Sequence, residues 1–84
     1  MKKNVMIILI GNRIDAAEKV QKLLTAWGCL IKTRLGVHDG VLDDCSERGL
    51  LILELVGEED KIAELERKLS LVKGVTSRLV SLAV

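Results

Sequence analysis

The chain has no proline, phenylalanine or tyrosine, one tryptophan (Trp27), one histidine (His38) and two cysteines (Cys29 and Cys45). With Trp27 as the one Phe, Tyr or Trp side chain, there is no stacking platform for single-stranded nucleic acid. A formal net charge of +1 removes the electrostatic footprint of a protein that grips phosphate backbones. No helix-turn-helix or ribbon precedes the first strand, so direct nucleic-acid contact is not expected; no membrane partner is expected either, since the apolar run at Val5 to Ile10 is too short to span one. The cysteines form no Cys-x-x-Cys pair, and one possible bridge is not a disulfide framework, which favours a reduced, cytoplasmic setting. Long apolar runs are missing too. Val5 to Ile10 is shorter than the roughly 7–15 residues of a secretory h-region or the roughly 20 of a spanning helix. What the chain does have is aliphatic bulk: 31 of its 84 residues are Leu, Ile or Val. That excludes disorder and suits a single small domain over residues 1–84.

The spacing of these aliphatics changes along the chain. Residues 4 to 10 are a continuous Val- and Ile-rich run, the pattern of a buried central strand. From 13 to 27, Ile14, Ala17, Val20, Leu24 and Trp27 recur at three- and four-residue spacing, an apolar stripe on a helix with Asn12 as its cap and Gly28 as its stop. Residues 30 to 38 alternate, with Ile31, Leu35 and Val37 on one side and Lys32, Arg34 and His38 on the other, as in an edge strand. Residues 39 to 49 read as a loop between Asp39-Gly40 and Gly49. Leu50 to Val56 is a second apolar run. The acids of Gly57-Glu58-Glu59-Asp60 then open a helix whose buried side is Ile62, Leu65 and Leu69. Val75 to Val84 closes as a strand. Mixed charges along the second helix mark a solvated outer face.

The two halves match at an offset of 46. Leu9, Gly11, Ala17, Glu18, Lys22, Leu23 and Gly28 recur as Leu55, Gly57, Ala63, Glu64, Lys68, Leu69 and Gly74. The repeated glycines flank both helices, where special backbone geometry is useful. Two interleaved right-handed βαβ units give an α+β, ferredoxin-like βαββαβ sandwich: a four-stranded antiparallel sheet with two helices on one face. The first and third strands are then central.

Such a sheet leaves its other face bare. With Leu51, Leu53 and Leu55 assigned to the helices, that face carries Leu50, Ile52, Glu54 and Val56 with one parity of the first strand. This predicts a homo-oligomer, dimer or tetramer, through the open face or aligned edges. Glu54 needs a partner there, and Arg34 across the hairpin would supply one.

Candidate chemistry is sparse. His38, Asp44 and Cys45 offer imidazole, carboxylate and thiolate across one loop, a possible transition-metal set. Cys45 and His38 are also the one thiol–imidazole pair, but no orienting group or oxyanion site accompanies them. Gly11-Asn12-Arg13 is neither a Walker loop nor G-x-G-x-x-G. No catalysis and no resident cofactor are expected. Lys2, Lys3, Lys32, Arg34 and Arg78 could line up as a mild basic strip.

At Ile31 to Asp39, Cys45-Ser46 and Gly49 to Gly57 the chain resembles the iron-only hydrogenase system regulators, a family of small bacterial domains. The resemblance implies an ACT-like fold akin to the effector domain of the nickel-responsive repressor, oligomerisation through the sheet, and a regulatory role. Where that repressor has a His-x-His pair before Asp-Asp-Cys, this chain has Gly36-Val37-His38 before Asp43-Asp44-Cys45. The leading expectation is therefore a non-catalytic regulatory or ligand-sensing domain. The alternative is a metal-binding accessory protein that uses His38 and Cys45.

Overall fold

A computed structural model describes residues 1–11, 15–38 and 49–84, with His38 described by its backbone only. The elements run β1 (Lys2–Ile10), α1 (Ala16–Ala26), a single 3-10 turn (Gly28–Leu30), β2 (Ile31–His38), β3 (Gly49–Leu55), α2 (Glu59–Ser70) and β4 (Val75–Ala83). The strand order is β2-β3-β1-β4 with every neighbour antiparallel. The two apolar runs are therefore the central strands, and the fold is the ferredoxin-like βαββαβ sandwich.

The core lies between the sheet and the helices. Met6, Ile8 and Ile10 from β1 and Leu51, Leu53 and Leu55 from β3 bury their side chains against Ala16, Val20 and Leu24 of α1 and Ile62, Leu65 and Leu69 of α2. Since the side-chain period of a strand is two, one parity of each central strand goes to the helices and the other is left for the opposite face.

Three local expectations shift. The first helix begins at Ala16 rather than residue 13, and its buried stripe runs through Ala16, Val20 and Leu24, with Ala17 and Trp27 only partly buried. Asp15 occupies its N-cap at φ 70, a left-handed backbone that Asp tolerates better than most residues, and its carboxylate pairs with Lys19 at 3.4 Å rather than capping an amide. Asn12 and Ile14 lie outside the described residues. Finally, the repeated glycines do not share a conformation. Gly57 and Gly74 have positive φ (111 and 84), whereas Gly11 is held by close approach, its N–H donating to the Gly74 carbonyl at 2.8 Å.

Candidate functional site

Residues facing each other across antiparallel strands share a face. The register thus writes the open face as rows: Thr33–Glu54–Val5–Val80, then Leu35–Ile52–Ile7–Arg78, then Val37–Leu50–Leu9–Thr76. Lys3 and Leu82 extend it at one end. The aliphatics in these rows are wetted by water: Ile7 is 39% exposed, Leu9 53%, Leu35 54%, Val37 47% and Leu82 62%. Together with half-buried Val5, Leu50, Ile52 and Val80 they form a contiguous apolar patch, the kind of surface that marks an interface. A shallow groove of about 260 Å³ follows β1 and β4 past Ile7, Leu9, Thr76 and Arg78.

A bulge in β2 between Ile31 and Thr33 decides which side chains reach this face. The extra residue puts Ile31 opposite Leu55 and Thr33 opposite Glu54, so Leu35 and Val37 stand on the open face while Ile31 stands on the helix side. The expected Arg34–Glu54 pair does not form. Arg34 lies opposite Leu53, on the helix side, and donates to Gln21 of α1. Glu54 instead accepts from Lys3, its diagonal neighbour on the same face, Nζ to Oε2 at 3.0 Å. That hydrogen bond holds the Glu54 carboxyl below the usual carboxylate range, against partial desolvation, and the charges of Lys3 and Lys32 act in the same direction.

The basic residues do not form a strip. Strand parity sends Lys3 and Arg78 to the open face and Lys2 and Arg34 to the helix side, where Lys2 pairs with Glu59 and Arg34 bonds Gln21.

Both sheet edges carry features that discourage pairing with another strand. On β4, the outward N–H of Leu79 donates to the Glu66 Oε2 of α2 at 3.1 Å, so a carboxylate covers that edge in mid-strand. On β2 the bulge distorts the edge at Lys32. The mixed-charge pattern of the second helix puts Glu66 on its solvated face; the i, i+3, i+4 spacing carries no signal that this side chain reaches a strand thirteen residues away.

His38, expected to be a metal ligand, ends β2 opposite Gly49. Its side chain and all of Asp44 and Cys45 lie outside the described residues. Cys29 is exposed in the 3-10 turn. An open groove of about 380 Å³ runs along α1 between Glu18, Gln21, Lys22, Thr25 and Ala26. Among the described residues no helix is long and apolar enough to cross a membrane.

No family model matches the sequence, and no curated protein does either. Among solved structures, the chain is similar to the uncharacterized protein TM1266 from Thermotoga maritima, at 26% identity over 99% of this chain and 100% of that one, with a TM-score of 0.81. It is also similar to the ACT domain from GTP pyrophosphokinase of Chlorobium tepidum, at 18% identity over 100% of this chain and 88% of that one, TM-score 0.59. A third is a dimeric ferredoxin-like protein from an uncultured marine organism, at 16% identity over 99% of this chain and 94% of that one, TM-score 0.51. The fold of this chain is accordingly ferredoxin-like and ACT-like.

Proposed function

We propose that the chain is a small regulatory, ligand-sensing domain without catalytic activity, working in the cytoplasm as a homo-oligomer assembled through its open sheet face. The observation that carries this reading is the apolar face itself, exposed in a single copy, beside two edges that resist strand pairing. An ACT domain and a dimeric ferredoxin-like protein among the structural neighbours support a sensing and assembling role. The resemblance of residues 31–39 and 49–57 to the iron-only hydrogenase system regulators supports placing that role in the control of such a system. Effector binding at a subunit interface would act by favouring one assembly state over another.

Sedimentation equilibrium tests the assembly. The wild type is expected to be a dimer or tetramer at micromolar concentration, and Ile52→Lys, at the centre of the face, a folded monomer. A monomeric wild type would overturn the reading. Native mass spectrometry of protein purified without chelator tests the rest: a stoichiometric metal lost in Cys45→Ser would favour the accessory-protein alternative built on His38, Asp44 and Cys45.

A further inference from the structure

Among the described residues, the open face carries one cation with no carboxylate beside it. Arg78 is exposed in the middle of β4, level with Ile7 and Ile52, and makes no ion pair with any described residue. A face that closes over an arginine must supply a carboxylate, because a buried charge without a partner costs far more than a matched one. By the register, Glu54 is the one carboxylate on this face among the described residues. Lys3 engages only its Oε2, leaving Oε1 with no protein donor among the described residues. Within a subunit, Glu54 and Arg78 are two strands and one row apart, so in one copy they stand as separate negative and positive points on an otherwise aliphatic surface.

We infer that the occupant of this face is a second copy of the chain, docked so that Arg78 of each copy meets Glu54 Oε1 of the other. The inference rests on reading the face as a self-association surface and adds its register. A twofold operator makes the contact isologous, so the one Arg–Glu pairing occurs twice, once on each side of the axis. Each Glu54 then sits between its own Lys3 and the partner's Arg78, and the aliphatic rows between them meet like with like. The pair acts as the device that selects one docking among the many that a featureless greasy surface would allow.

A double-mutant cycle tests it on the 84-residue chain, with dissociation constants from sedimentation equilibrium and circular dichroism to confirm folding. R78Q and E54Q are each expected to raise the dissociation constant about tenfold or more, since each strips one partner from two symmetric pairs. R78Q/E54Q is expected to fall at least about fivefold short of the product of the two single effects, because both charges leave together. Single effects that simply multiply in the double variant, or an R78Q protein that dimerises like the wild type, would overturn the pairing while leaving face-to-face assembly standing. A wild type that is monomeric at tens of micromolar would remove both.

Discussion

Glycine shows how little a residue type says without its backbone. Gly57 and Gly28 both lie at helix junctions and look alike in the sequence. At Gly57, φ is +111 and an added Cβ would come within 2.9 Å of Leu30 Cδ2; at Gly28 an added Cβ would meet nothing within 4 Å. Gly57→Ala should therefore cost about 1–3 kcal/mol in urea unfolding, combining backbone strain with crowding of the core. Gly28→Ala should stay within about 0.5 kcal/mol of the wild type. The same scale governs acid sensitivity. The Lys3 hydrogen bond depresses the Glu54 pKa in the folded chain, so the folded carboxyl releases its proton more readily than the unfolded one. The resulting stabilisation is complete above the ordinary glutamate range, about 4.3, and is lost as pH falls through the lower folded value. Glu64, depressed by its hydrogen bond from Arg67, behaves in the same way. Lys3→Met should flatten, without abolishing, the decline of the urea midpoint as pH drops below about 4.3. An unchanged decline would show that the pair contributes nothing.

At the scale of elements, α2 guards as well as packs. Its inward residues Ile62, Leu65 and Leu69 were legible from their spacing, while the role of Glu66 was not, because it depends on where β4 lies. Glu66→Ala should remove about 1 kcal/mol and speed hydrogen exchange at the Leu79 amide; Glu66→Gln keeps an acceptor oxygen and should retain most of the protection. Equal exchange in the two variants would mean that the contact does not persist in solution. The repeat is instructive in a similar way. An offset of 46 aligns Leu9 with Leu55, yet Leu9 is solvent-facing and Leu55 is core. The buried parities of β1 and β3 are related by an odd number, whereas 46 is even. The identities thus identify the repeated unit without fixing which way its strands face.

For the whole molecule, two adjacent residues of β3 should separate folding from assembly. Leu53 is fully buried under the helices, and Leu53→Ala should cost about 2–5 kcal/mol of unfolding free energy. Ile52 faces the other way, and its replacement by Lys should change subunit number before it changes fold. If folding and association are linked, the wild-type melting temperature rises with protein concentration, and that of Ile52→Lys does not.

Periodicity and punctuation were enough to place six elements in order, to name the central strands and to sort β3 into a helix side and a bare side, because those properties follow from local alternation and from the size of the aliphatic runs. The parity of β1, the bulge that turns Leu35 and Val37 outward, the Lys3–Glu54 pair in place of Arg34–Glu54, and the carboxylate over the β4 edge all depend on how distant segments slide past one another. A slip of one residue exchanges the two faces of a strand, and nothing within a single strand records which slip the rest of the molecule will choose.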